Sequence, residues 1–181
     1  MTIHETEGAA GLPPGFLELP RLVYRDDPNW IPEDPRALSA MFATNNSYFD
    51  RSRARAFCIP GKARVVAFHD PQLQIDGVPA AYAGYFESTG DEDAHREILA
   101  AAERWLHERG ARMLYGPVQF NTANSYRFLL SGSPAFSPFL GEPYNPASYP
   151  TYWERMGFQL TRRFSSQIIP LPQLYRALSL F

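Results

Sequence analysis

The hydrophobic pattern that organises this chain lies in residues 80–158. The run 80–87 (AAYAGYFE) is apolar on both faces and reads as a central strand, since strands buried on both sides lose the polar alternation. A polar turn, 88–93, follows it. Ile98, Leu99, Ala102, Trp105 and Leu106 then recur at helical spacing, which predicts an amphipathic helix over 94–110. Thr89-Gly90-Asp91-Glu92 fits a capping box for that helix, with Asp91 or Asp93 as alternative caps. Gly110 stands where a helix ends in left-handed backbone. The run 111–118 (ARMLYGPV) is a second strand. Strand, helix and strand at this spacing predict a βαβ unit with a right-handed crossover and a parallel pair.

The flanking pattern is less regular. Residues 1–14 are polar, small and rich in Gly and Pro, and are expected to form a mobile arm ahead of a single domain, 15–181. Residues 19–23 have helical spacing, and Asp34-Pro35 is an N-cap followed by a first-turn proline, opening a helix over 35–43. The runs 54–59 and 63–69 predict a hairpin across Pro60-Gly61-Lys62. Residues 70–79 read as a loop with a turn at Asp76-Gly77. Residues 121–144 are loop-rich, with apolar pieces at 128–130 and 136–141. Residues 149–156 form a short helix closed by Gly157, 158–171 one or two strands, and 172–181 an apolar end piece. The fold class is therefore α/β (α+β): a mixed central sheet with an antiparallel N-terminal hairpin, a βαβ unit and flanking helices.

Composition narrows the function. A chain of 181 residues with 45% hydrophobic and 14% aromatic content buries a real core. The formal net charge of −2 gives no basic footprint, so nucleic acid is not an expected partner. The N-terminus has no apolar signal core and no run approaches a membrane span, so the expectation is a soluble cytoplasmic protein. The single cysteine, Cys58, excludes an internal disulfide and reads as a half-buried thiol. No His/Cys/Asp/Glu set has metal-ligand spacing, and no nucleophile elbow or phosphate-binding loop occurs. No metal is expected.

The candidate chemistry gathers after strand ends, where open α/β sheets hold their ligands. Glu87 ends the central strand, either as a general base or as a solvated strand end. Asn121, Asn124 and Tyr126 follow the next strand and suit a carboxylate or amide of a substrate, or else make Asx turns. Tyr144, Asn145 and Tyr149 form a second polar-aromatic cluster, weighed against plain packing. His69-Asp70 are neighbours whose side chains point to opposite faces of a strand. His95 and His107 are expected on the exposed side of the helix, and Trp30 is expected to pin the 26–30 loop to the core.

The segment WERMGF, 153–158, resembles the closing helix motif of the GNAT superfamily of N-acyltransferases. The superfamily's best-known members carry there a Tyr that acts as general acid on the departing thiolate. Trp153 holds that position here and an indole has no useful acid, which leaves Tyr149 and Tyr152 as substitutes. A bacterial GNAT-like subfamily resembles the chain more fully, over 16–171, through FLELPRLVYRDDPNWIP, RARAFCI, AGYFE, EILAAAERWLHERGARMLYGPVQFNT and YNPASYPTYWERMGF. Many of its members carry a further C-terminal acyltransferase half. The chain ends at Phe181, so it is expected to be a single unit or to need a partner.

The resemblance implies a thioester co-substrate, an acyl-CoA or acyl-carrier-protein thioester. Its pantetheine arm would lie against the strand at Tyr85 and Phe86, and its pyrophosphate at the Ser88, Thr89, Gly90 loop. That loop departs from the superfamily pattern: it has one glycine, no basic residue and three carboxylates. Carboxylates cap a helix N-terminus well but repel a pyrophosphate there, which favours a carrier-protein donor. The implied function is N-acyl transfer to a small amine or amino acid by direct attack. Glu87 would be the base, and Tyr149 or Tyr152 would protonate the thiolate. Alternatives are a non-catalytic binding or partner module, and a cyclase or hydrolase on the same scaffold. Expected partners are the small-molecule acceptor, a carrier protein and a second copy in a homodimer, with no membrane contact.

Overall fold

A computed structural model describes residues 1–130 and 141–166. Six strands form one mixed sheet: β1 (His4–Glu7), β2 (Arg53–Ile59), β3 (Ala63–His69), β4 (Gln74–Ile75), β5 (Val78–Ser88) and β6 (Met113–Tyr115). The helices are α1 (Leu19–Val23), α2 (Pro35–Met41), α3 (Glu92–His107) and α4 (Tyr149–Arg155). Strands β1, β2, β3 and β5 lie in that order, all antiparallel. The short β4 makes a hairpin with β5, and β6 runs parallel to β5 through Ala80–Met113, Ala81–Leu114 and Tyr82–Tyr115.

The βαβ unit forms as its pattern predicts. Asp91 caps α3, its Oδ1 accepting from the Ala94 N–H at 3.0 Å. The apolar face of α3 then packs on β2, β3 and β5 through Ile98, Leu99, Ala102, Trp105 and Leu106. The opposite face of the sheet is covered by an aromatic cluster that includes Phe16, Phe42, Phe68, Tyr85 and Phe120. The second strand of the unit is shorter than the apolar run suggests. It holds only Met113–Tyr115, because Val118 turns its N–H to the Ala83 carbonyl (2.8 Å) and the chain then leaves the sheet.

Two expectations change. Part of the expected mobile arm, His4–Glu7, is instead edge strand β1, paired with β2 from His4–Cys58 to Glu7–Arg55. Its polar sequence disguised it, since an edge strand with its side chains in water needs no apolar alternation. Two of those side chains hold it down: the Arg55 guanidinium bonds Glu7 at 2.6 Å and Glu5 at 3.3 Å. Residues 158–166, expected to be strand, carry none. The rest of that expected strand, the end piece 172–181 and most of the apolar piece 136–141 lie outside the described residues.

One irregularity positions the site. Between Val66–Gly84 and Arg64–Glu87 the register of β3 with β5 slips, and Tyr85 takes φ of +52°. This bulge reverses the alternation of faces along β5. Ala81 and Ala83 face α3, yet Tyr85 joins the aromatic cluster and Phe86 faces α3. Glu87 therefore shares a face with its cross-strand neighbour Arg64 and is kept out of the apolar layer under α3.

Candidate functional site

Glu87 ends β5 with a side chain only 14% exposed. Two phenols converge on it. The Tyr149 hydroxyl donates to Oε2 at 2.8 Å and the Tyr24 hydroxyl lies 3.5 Å from Oε1. The Arg64 guanidinium, 1% exposed, stands 3.9 Å from Oε1. Burial raises the Glu87 carboxyl to about 7, and this outweighs Arg64 and the two phenols, which pull it down. A carboxyl that changes charge near neutral pH inside a protein is poised to take and return a proton. Burial beside the Glu87 carboxylate also pushes both phenols well above their ordinary range, so Tyr24 and Tyr149 keep their protons.

Tyr149 does more than touch Glu87. Its oxygen also accepts from the Ser88 N–H at 2.8 Å. Its ring packs edge-on against Phe86 and Phe128, and Trp153, one turn later in α4, packs against the same two rings. Residues 149–153 thus fill the space beside β5 where β6 has parted from it. The stretch of β5 against which a pantetheine arm is expected to lie is covered by side chains: Tyr85 is core in the aromatic cluster, and Phe86 lies under α4. Trp153 is buried against Gly116 and Phe86, a packing residue with an indole N–H that finds no partner among the described residues.

The loop after β5 is likewise closed upon itself. The Thr89 N–H donates to the Lys62 carbonyl at 2.9 Å and the Gly90 N–H to Ser88 Oγ at 3.1 Å. Asp91 caps α3 and pairs with Lys62 at 2.6 Å, which holds its carboxyl below the ordinary range. The amides that would cradle a pyrophosphate at Ser88, Thr89 and Gly90 are already bonded within the protein. Ser88 turns its side chain inward to His95, whose Nε2 it meets. His95 was expected in solvent. It is 2% exposed because the first turn of α3 rests on the end of β5, where Ser88 gives the imidazole a partner.

The other candidates separate. Tyr144 belongs to the site: its ring lies 6.1 Å from Tyr24 and its hydroxyl donates to Asp27 at 2.6 Å. The Tyr152 ring packs at a tilt on His95, centroids 4.4 Å apart, and no hydrogen bond joins it to Glu87 among the described residues. Asn121 makes an Asx turn, accepting from the Ala123 N–H and from Asn124 Nδ2, each at 3.0 Å. Asn145 ties its own segment to Leu129 through the Leu129 N–H (2.7 Å) and carbonyl (3.2 Å). Tyr126 packs on Phe164 and under Arg127. Cys58 is buried, which pushes its thiol up to about 11 and leaves it unreactive.

Sequence reasoning missed Tyr24, Arg64 and Glu33. Arg64 Nη2 bonds Glu33 Oε2 at 2.7 Å, and Trp30 stacks on Tyr24 at 5.0 Å, so the 24–33 segment roofs the site. The one signal available was a lone Arg inside the apolar strand ARVVAFH. A cleft of about 320 Å³ is lined by β6 and by residues 156–161. Glu103 is its only ionisable carboxyl and Glu87 does not line it, so it is not where the acid–base groups meet. No group of His, Cys, Asp and Glu among the described residues could hold a metal ion, and none of their helices is long and apolar enough to cross a membrane.

No protein-family model matches the chain. Protein YghO of Escherichia coli (strain K12) is 24% identical over 148 residues, covering 79% of this chain but 38% of that protein. The chain thus spans well under half the length of this curated relative. Among solved structures, the "Putative acetyltransferase" of Agrobacterium tumefaciens str. C58 superposes over 94% of this chain and all of that one, at a TM-score of 0.50 and 15% identity. The "Putative acetyl transferase" of Pyrococcus furiosus covers 93% of this chain and all of that one, at a TM-score of 0.43 and 14% identity. With a parallel β5–β6 pair crossed over by α3 and closed by α4, the chain has a GNAT-like fold.

Proposed function

We propose that the protein is an N-acyltransferase that moves an acyl group from a thioester to a small amine by direct attack. The observation that carries this reading is Glu87: a nearly buried carboxyl, raised to about 7, at the parting of the parallel strands of a GNAT-like fold. The ammonium form of the acceptor gives a proton to Glu87, and the free amine attacks the thioester carbonyl carbon. The C–S bond then breaks and the thiolate leaves. Tyr149 protonates the sulfur while Glu87 returns its proton to Tyr149. The ionised Glu87 then takes the second proton from the nitrogen of the forming amide and releases it to water, so nitrogen loses two protons, one to sulfur and one to solvent. No covalent enzyme intermediate is needed. Tyr24 and Tyr149 orient the carboxyl, and Tyr149, whose hydroxyl touches it, takes the donor role in preference to Tyr152.

The donor meets a closed surface. Its arm must take the place of the Tyr149 hydroxyl at the Ser88 N–H, and the 88–93 loop offers no free cradle for a pyrophosphate. This favours a donor held elsewhere, such as a carrier protein. It also favours a second reading, a GNAT-fold binding module without catalysis. Thiol release from acyl-CoA and acyl-carrier thioesters, followed across an amine panel, separates the two. Release that needs both donor and amine supports transfer. Silence with every donor, with no shift in melting on adding CoA, supports the binding module.

A further inference from the structure

Arg64 is the most buried charge near the site, and its bonding is unusual. Nη1 donates to the Phe16 carbonyl at 3.0 Å, Nε has no partner among the described residues, and the guanidinium carbon lies 4.5 Å from the Phe16 ring centre. Among the described residues the only carboxylate hydrogen-bonded to it is Glu33, which is 36% exposed and comes from an irregular segment between Pro32 and Pro35. A buried cation is therefore neutralised by a carboxylate that reaches in from solvent. The Glu33 side chain marks a path from the surface to Nη2, and a shallow cleft framed by Leu17, Arg21, Trp30, Pro32 and Glu33 lies on the solvent side of Glu33 without reaching Arg64. Arg64 and Glu87 sit across from each other in register, 3.9 Å apart, opposite in charge and on one face of the sheet.

We propose that the acceptor is an α-amino acid, bound as a zwitterion with its carboxylate on Arg64 and its ammonium on Glu87, and that the Glu33 carboxylate occupies the acceptor's carboxylate position in the free protein. This rests on the acyl-transfer reading of the same site and names its substrate class. The chemistry of recognition is explicit. Only a molecule with its own anionic group, such as a carboxylate, can displace Glu33 without stranding a buried guanidinium, which is costly. A guanidinium also offers the planar fork that a carboxylate fits. A plain amine can meet Glu87, but it leaves Glu33 in place. The Tyr24 ring, packed against Trp30 and Tyr144, is the nearest apolar surface for the amino acid's side chain.

The test is binding, not turnover. Each proteinogenic amino acid and its decarboxylated amine, L-phenylalanine against phenethylamine for example, is titrated to about 10 mM by ligand-observed NMR, a range set for weak ligands. Wild-type protein and Glu33→Ala are compared, with Arg64→Lys as a second variant that keeps the charge but loses the fork. The proposal expects opposite signs. Removing Glu33 tightens a binding amino acid by about threefold to tenfold, because an internal competitor is lost. It weakens the matched amine, because Arg64 is left uncompensated beside the ammonium. Arg64→Lys weakens the amino acid and leaves the amine within about twofold. If Glu33→Ala changes both ligands alike, or no amino acid binds either protein, the zwitterion site is refuted and Arg64–Glu33 is a structural pair. Thiol release with plain amines in that case leaves acyl transfer standing without it.

Discussion

Replacing Tyr149 with Phe removes one oxygen that serves two groups. In the wild type that oxygen donates to Glu87 Oε2 and accepts from the Ser88 N–H, each at 2.8 Å. The bond to Glu87 favours the ionised carboxyl, so its loss raises the Glu87 midpoint. A hydrogen bond to a charged group contributes about 1.5 kcal/mol at the low end. At about 1.4 kcal/mol per unit, that moves the midpoint up by about one unit, from near 7 to near 8. The Ser88 N–H is left buried without a partner, which costs about 1–3 kcal/mol of stability. Glutamate labelled with carbon-13 at the side-chain carboxyl, titrated by NMR, reads the midpoint, and Glu87→Gln identifies the resonance. Urea unfolding at pH 7 reads the stability. A midpoint that stays or falls, or a stability within about 0.5 kcal/mol of wild type, would refute the arrangement of Tyr149 between strand and carboxyl.

Other outcomes follow from the same geometry. Glu87 ordinarily titrates at 4.5 and here at about 7, so between those values the folded chain holds a proton the unfolded chain has lost. Wild-type stability should therefore fall as pH rises through that window, by up to about 3 kcal/mol. Glu87→Gln should lack this slope, and parallel pH curves for the two proteins would contradict the raised carboxyl. At Gly84 a Cβ would sit 2.3 Å from the Val118 carbonyl oxygen, a backbone atom that cannot move cheaply. Gly84→Ala should cost about 1–3 kcal/mol by thermal or urea melting, and an unchanged protein would show that β5 and the Val118 turn are not packed this closely. Because the 88–90 amides are bonded internally, an acyl-pantetheine donor should match the corresponding acyl-CoA within about threefold in kcat/KM; an advantage of tenfold or more for CoA, about 1.4 kcal/mol, would show that the loop reopens.

What was legible in the sequence was what local pattern specifies. The α3 helix carried its face and its glycine stop in the letters, and the β2–β3 hairpin its turn. The sequence narrows the cap to a Thr89 box or to Asp91 or Asp93, and it is Asp91, while Thr89 bonds the Gly61 and Lys62 carbonyls. The polar edge strand β1 did not, since its pairing depends on what β2 offers and not on its own alternation. Glu87 was visible as a strand-end carboxyl, but its company was not. Tyr24, Glu33 and Arg64 come together only because the 16–33 segment folds across the sheet and a bulge at Tyr85 turns Glu87 to the same face. For Asn121 and Asn124 the sequence leaves two readings open, ligand groups or an Asx turn, and the structure shows the turn.

Acyl transfer by this protein depends on Glu87 as the proton acceptor. The most direct measurement is the pH dependence of thiol release for wild type and Glu87→Gln, with acyl-CoA and acyl-carrier thioesters and an amine panel. The expected result is a rate that rises through an apparent midpoint near 7 and falls by about a hundredfold or more in the variant. Release that is equal in the two proteins, or absent with every donor, would contradict it.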